Sequence, residues 1–230
     1  MDINFGRRPS KDERDKQYLM RRLLPVGVLL PVRKTWAINS TALDQGPYGT
    51  CVGNGWTNFL RCAPIQTTAD ESMALKIYDA AIQLDEWTDN DNDTARQMGT
   101  SVRAGAEAVM AMKRLKSYVW SFELQPTIEW ILTMGPVVIG TNWYKSMSNP
   151  DAQGFTTIKP KSPIEGGHCY MIRGADSRRA LVTCTNSWGD DWGKSGEFYL
   201  PFRDLERLIH EDGEVCSAIQ KSLTALKEEK

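Results

Sequence analysis

Hydrophobic periodicity changes character near residue 116, and that change limits the folds open to the chain. Before it, apolar residues recur at helical spacing. Met73, Ile77, Ala81 and Leu84 do so in ADESMALKIYDAAIQLDEW, with Asp70 or Ser72 placed to cap the helix. Val102, Ala106, Val109 and Met110 repeat the pattern in GTSVRAGAEAVMAMKRLK. Residues 51–62 suit a further helix despite Gly53 and Gly55, each of which costs about 1 kcal/mol relative to Ala. Beyond the change, one helix fits PTIEWILTMG, opened by Pro126 and stopped by Gly135-Pro136. Strand-like runs follow: PVVIGTNW, HCYMIRGA, ALVTCTN and GEFYLP. A helical part followed by a mostly β part predicts an α+β chain of two packed lobes.

The flanks are simpler. Residues 1–22 are dense in charge and read as an exposed arm or short helix, and LLPVGVLLPVRKTWAI as an extended apolar run with prolines suited to strand edges. SLTALKEEK, at the end, reads as a solvated tail. With 28 basic against 29 acidic side chains, the chain has no general attraction to nucleic acid or anionic membranes, and neither partner is expected. No apolar stretch approaches the ~18 residues of a membrane span. LLPVGVLLPV is too short and too far from the start for a signal peptide.

Five cysteines (Cys51, Cys62, Cys169, Cys184, Cys216) are an odd number without regular spacing, which argues against a disulfide scaffold and for a reducing, cytoplasmic setting. They also lack the paired spacing of a zinc site. The acidic run DNDND at 89–93 departs from a calcium loop, with Thr94 and Thr100 in place of its Gly and Glu, and reads as a solvated loop. No metal or cofactor is expected.

Two segments carry candidate chemistry. Cys51 follows the turn-rich DQGPYGT and opens a helical stretch. Such a thiol is either a small buried hydrophobe or a nucleophile whose pKa the helix N-terminus lowers. A backbone N–H at that helix end and the Gln45 amide would make an oxyanion hole. His168, one of two histidines, opens an apolar strand in EGGHCYMIRGAD; His210 stands among charges and reads as surface. His168 is either structural or a base. An imidazole base needs its second nitrogen held, and Asn186, in CTNSWGDDWGKSGEFYLP, would do so by accepting from Nδ1–H. Trp188 would keep water from that bond.

QGPYGTCV, the His-led strand and NSWGDDWGKSG together resemble the papain-like cysteine peptidases, over roughly residues 30–205. The third motif matches at every fixed position, and the order Cys, His, Asn agrees. The resemblance implies a two-lobed fold, with a helical N-terminal lobe, an antiparallel β-barrel-like C-terminal lobe and an active site in the cleft between. It implies Cys51 as nucleophile, His168 as base and acid, Asn186 as its orienting partner and Gln45 on the oxyanion. Trp188, Gly99, Thr100 and Gly167 would line the substrate cleft. The reaction would hydrolyse peptide bonds through an acyl-thioester on Cys51, with a protein or peptide as substrate.

Departures accompany the match. Tyr48 replaces the motif's first Cys, RQMGTS lacks its disulfide partner, Val52 replaces the Trp after the nucleophile, and Gly167 is small for its position. These resemble compact microbial or bacteriophage-type members. The implied boundaries are an arm at 1–29, a helical lobe at 30–118, a β lobe at 119–206 and an extension at 207–230. An arm of about 29 residues is short for an inhibitory prodomain, so an enzyme made active is favoured over an arm that covers the cleft. The same triad also serves amidases, peptidoglycan hydrolases and transferases, and the fold can persist in a non-catalytic binding protein. Oligomeric state is left open.

Overall fold

The computed structural model describes residues 5–39, 41–87 and 95–220. DNDND and SLTALKEEK lie outside them. Two lobes pack side by side. A short edge strand, β1 (Arg33–Thr35), precedes the helices α1 (Cys51–Arg61), α2 (Glu71–Ala81), α3 (Ala95–Met98) and α4 (Val102–Ala111). Asp70 caps α2 by accepting from the N–H groups of Ser72 and Met73, and the Ser101 hydroxyl caps α4. All residues of α1 are buried. Its two glycines, unfavourable in isolation, are the reason it fits. A Cβ on Gly53 would stand 2.2 Å from the Ala74 carbonyl oxygen of α2, and one on Gly55 would stand 2.9 Å from Cys169 Sγ.

The remaining elements are β2 (Leu115–Ser121), α5 (Leu124–Thr133), β3 (Val137–Tyr144), β4 (Ile164–Asp176), β5 (Leu181–Thr185), β6 (Glu197–Pro201), α6 (Phe202–His210) and β7 (Glu214–Gln220). They form one antiparallel sheet in the order β2-β7-β3-β4-β5-β6, and β1 pairs with the far end of β4. The expected barrel-like lobe is not what forms. The sheet is open, its end strands β2 and β6 unpaired with one another among the described residues. The reason lies in what β2 and β7 cover. Leu115, Trp120, Cys216 and Ala218 pack into the core of the helical lobe, so this end of the sheet runs over the helices instead of curling toward β6.

β4 joins the two cores. Cys169 and Met171 point into the helical core, while Tyr170 and Ile172 point into the β-lobe core, as the two-residue period of a strand requires. His168 shares the second face. The second core is dense in aromatic rings, with Trp143, Tyr170, Trp188, Trp192 and Phe198 meeting edge to face around it.

The arm at the start is more integrated than its charge suggests. Two short 3-10 turns, Glu13–Gln17 and Met20–Arg22, bury Asp15 and Met20, and Asp15 pairs with Arg103 of α4. The apolar run after it is the opposite case. Val26 is 98% and Leu29 95% exposed. No helix among the described residues is long and apolar enough to cross a membrane.

Phe198, fully buried among Trp143, Tyr170 and Trp192, is a sensitive point of the β-lobe core. Phe198→Ala should cost about 3–5 kcal/mol in urea unfolding; a loss under about 1 kcal/mol would mean that this ring cluster does not hold the lobe.

Candidate active site

Cys51 is the first residue of α1 and His168 lies on β4, which α1 packs against; Asn186 follows β5 directly. The three are fully buried. His168 Nε2 lies 2.7 Å from Asn186 Oδ1. That oxygen also accepts the Ser187 backbone N–H at 2.9 Å, which identifies it as the carbonyl end of the amide. Nε2 therefore carries the proton, and Nδ1 is left as the basic nitrogen. This reverses the nitrogens of the sequence expectation, in which Nδ1–H was the donor. Nδ1 has no hydrogen-bond partner. A buried unpaired ring nitrogen is uncommon, and it is the nitrogen available to take a proton.

Two indoles hold the imidazole. Trp188 stacks on it at 4.7 Å and 30°, and Trp143 meets it edge-on at 4.9 Å. Trp143 escaped the sequence reading. It sits two residues from Thr141, the β3 partner of His168, and only strand register brings it there. The Asn186 main chain is fixed as well, its N–H on the Gly196 carbonyl and its own carbonyl near Asn58 Nδ2 of α1.

Gln45 is tied to the same loop. Its backbone N–H donates to the Ser187 carbonyl at 2.9 Å, the Ser187 hydroxyl donates to its Oε1 at 2.8 Å, and its Nε2 donates to the Tyr48 carbonyl at 2.7 Å. This fixes the amide with its NH₂ end directed toward the turn before Cys51. Tyr48, where the resemblance would have a disulfide cysteine, is exposed, and all five cysteines are free. Among the described residues no group of His, Cys, Asp and Glu is arranged to hold a metal.

The cleft is not vacant. Residues 5–8 run through it, against the expectation of an uncovered site. Arg7 N–H donates to the Gly167 carbonyl, Thr100 N–H to the Gly6 carbonyl and Arg8 N–H to the Thr100 carbonyl, each at 2.9 Å. Arg7 and Thr100 thus form a parallel bridge. Phe5 packs edge-on against His168 and Trp188. Gly6 is enclosed so tightly that a Cβ would lie 1.7 Å from the Gly49 carbonyl oxygen. Gly99, at φ +78°, approaches it from the other side, where its own added Cβ would stand 2.2 Å from the Gly6 oxygen. The four residues proposed from sequence to line the cleft, Gly99, Thr100, Gly167 and Trp188, all touch this segment. Nothing in FGRR itself announces that it would lie there.

Burial sets the electrostatics of this closed site. The Cys51 thiol is pushed up to about 11 by desolvation, against the smaller opposing pull of the Cys169, Gly6 and Val52 backbone amides and the Arg7 charge. His168 is pushed down to about 4, again by desolvation, with the Asn186 hydrogen bond opposing. Both groups are therefore neutral at pH 7, the reverse of the lowered thiol pKa expected for an open helix N-terminus.

The arrangement is that of a thiol-protease fold, α+β and two-lobed, with a Cys, a His and an Asn at the junction of the lobes. Solved structures of the same kind agree. Xylellain, a cysteine protease from Xylella fastidiosa, superposes with a TM-score of 0.71 at 14% identity, covering 96% of this chain and 97% of that one. Digestive procathepsin L2 proteinase from the larval midgut of Tenebrio molitor does so with a TM-score of 0.60 at 15% identity, covering 95% and 78%. No family model and no curated protein matches the sequence.

The contact at Gly6 gives a direct test of the closed cleft. Gly6→Val leaves no room for the arm, so iodoacetamide should modify Cys51 at least ~10-fold faster than in the parent chain, a change of about 1.4 kcal/mol in accessibility. The same slow rate in both proteins would mean that residues 5–8 do not guard the sulfur.

Proposed function

We propose that the chain is a papain-like cysteine peptidase whose own N-terminal segment occupies the cleft. The observation that carries this reading is the buried Nε2–Asn186 hydrogen bond, which fixes the tautomer and leaves Nδ1 of His168 without a partner. In the open form Nδ1 takes the Cys51 proton, and the sulfur attacks a peptide carbonyl. The S–C bond forms while the oxyanion meets the backbone N–H at the start of α1 and the Gln45 amide. His168 then returns its proton to the leaving amine as the C–N bond breaks, and water hydrolyses the acyl-thioester. Asn186 and Trp188 hold the ring in place throughout. A peptide fits this cleft by the backbone pairing that residues 6–8 already make, which favours a peptidase over an amidase or cell-wall hydrolase.

Those roles also explain why the resident segment survives. His168 must reach the leaving amine, so the amine side of a substrate lies toward His168 and Trp188, where Phe5 packs. The acyl side lies beyond Gly6, toward Arg7. The arm runs from Phe5 to Arg7, backwards relative to a substrate. What it presents to Cys51 is the Gly6 amide, and the Gly6 carbonyl is held by Thr100.

Labelling with the epoxide-type thiol inhibitor E-64, mapped by mass, tests the chemistry in the full-length Gly6→Val chain. One adduct is expected on Cys51, slower by about 100-fold or more after His168→Ala. Slow and equal modification of several cysteines would sink the assignment and leave a binding protein with this fold. Turnover of peptides but not of peptidoglycan fragments would separate a peptidase from the other thiol acyl-transfer enzymes.

The pH dependence carries its own signature. With Cys51 at about 11 and His168 at about 4, the closed parent chain holds a neutral pair between these values. Its labelling should climb steadily as pH rises from 7 toward 11. In the Gly6→Val chain solvent returns, the thiol falls toward the roughly 3.5–7.5 range of activated cysteines, and the rate should reach its plateau by about pH 8.5. Superimposable profiles would contradict the shift assigned to closure.

A further inference from the structure

A near-neutral total charge hides how the cations are distributed. Two short basic stretches, far apart in sequence, meet at the end of the sheet remote from His168. β1 pairs with the last residues of β4, Arg33 against Asp176 and Lys34 against Ala175, and the Ser177 N–H donates to the Val32 carbonyl. That register sets Arg33 and Lys34 beside the turn into β5, which carries Arg178 and Arg179. Here lies an open groove of about 490 Å³, lined by residues of β1, β4, β5 and β6, with Thr183, Glu197 and Tyr199 among them.

The charges of the groove do not balance. Glu197 is taken by Arg173, which also donates to the Trp36 carbonyl, and Asp176 accepts the Arg179 backbone N–H. Among the described residues Arg33, Lys34, Arg178, Arg179 and Lys194 are in no ion pair. Three of them are steadied by rings instead: Lys34 over Trp36 at 4.6 Å, Arg179 over Phe155 at 5.3 Å and Lys194 over Tyr199 at 5.9 Å. An aromatic face orients a cation without cancelling its charge. Five positive charges thus stand around a groove whose one carboxylate outside an ion pair is Asp176.

Shape and charge together define the occupant. A concave groove admits a chain segment along its length, whereas a flat lipid surface reaches only the rim. Glu197 and Asp176 inside it oppose a continuous phosphate backbone. Carboxylates on one face of an extended peptide repeat about every 6.7 Å and can meet cations on both sides. Exposed ion pairs are individually weak, so a run of acidic residues is retained where a single one is not. At about 3.3 Å per residue along β4, Arg173 to Asp176 stand ~17–26 Å from His168, clear of residues 5–8.

We propose that this groove is a docking site for an extended acidic segment of a protein partner. Where the partner is a substrate, the segment tethers it while a separate stretch enters the cleft; that use alone rests on the peptidase reading.

Fluorescence anisotropy of the full-length chain with a short fluorescein-labelled peptide of alternating Glu and Ser tests the docking. It should bind at least ~10-fold tighter than its Gln counterpart and weaken as salt rises. Lys34→Glu with Arg179→Glu, both at exposed positions, should erase that preference. Lys76→Glu with Lys116→Glu, an equal change of charge elsewhere on the surface, should leave it within about 2-fold. Equal binding of the Glu and Gln peptides overturns the proposal, and so does a loss shared by both double variants. Capture of the chain by phosphatidylserine vesicles through Lys34 and Arg179, in place of the peptide, overturns it too. The tether is read in the Gly6→Val chain, from peptide substrates with and without the acidic segment on a linker of about 20 Gly and Ser residues, a mean span of ~25 Å. The segment should lower KM about 5-fold or more with kcat unchanged, and Lys34→Glu with Arg179→Glu should abolish the difference. Docking without any change in KM removes the tether. Docking without turnover of any peptide removes the peptidase reading and leaves the docking site standing.

Discussion

The hydrogen bond between His168 and Asn186 depends on several long-range contacts that converge on it. Its donor stands on β4 and its acceptor after β5, so the register of those two strands fixes its length. Trp188 and Trp143 close over it, and their positions depend on the loop after Asn186 and on the pairing of β3 with β4. Asn58 of α1 and the Gly196 carbonyl hold the Asn186 backbone. A hydrogen bond screened from water in this way is electrostatically stronger than an exposed one. The same screening makes an unsatisfied group costly, which is why the free Nδ1 stands out.

What could be read in the sequence divides along a physical line. Local patterns were legible. The helices at 51–61, 71–81 and 102–111 and the strands β3 to β6 follow from periodicity and caps, and the motif around Asn186 led to its bond with His168. Non-local consequences were not. β2 and β7 are short strands whose meaning lies in each other, Leu115–Ser121 against Glu214–Gln220, and nothing within either run declares the partner. Missing them also hid the open sheet, because these strands are what draws it over the helices. The nitrogen used by His168 was mistaken for a similar reason. Which ring atom meets the amide depends on where β4 and the following loop come to rest, a tertiary quantity that no spacing encodes.

Glu214 and Arg7 illustrate the limit most sharply. As sequence, FGRRPSK is part of a charge-dense arm that reads as exposed, and HEDGEV carries no signal that Glu214 would be buried. They meet only because β7 is paired to β3, where Gly140 leaves space beside Val102. Charge density predicted an exposed arm around Arg7, and tertiary pairing overrode it.

Closure by residues 5–8 carries an electrostatic consequence beyond occupancy. Phe5, edge-on to His168, and Gly6, against Cys51, add to the burial that raises the thiol and lowers the imidazole, while the Gly6 amide and the Arg7 charge pull the thiol the other way. The closed site is therefore disarmed as well as blocked. The two effects reinforce each other, since a neutral thiol and imidazole cost less to bury than a thiolate and imidazolium. The buried charges of Arg7 and Glu214 compensate one another. The segment thus adds to the burial of Cys51 and His168 and pairs its own Arg7 with Glu214. Departure of the arm would return water to Cys51 and His168 and leave Glu214 without its cation.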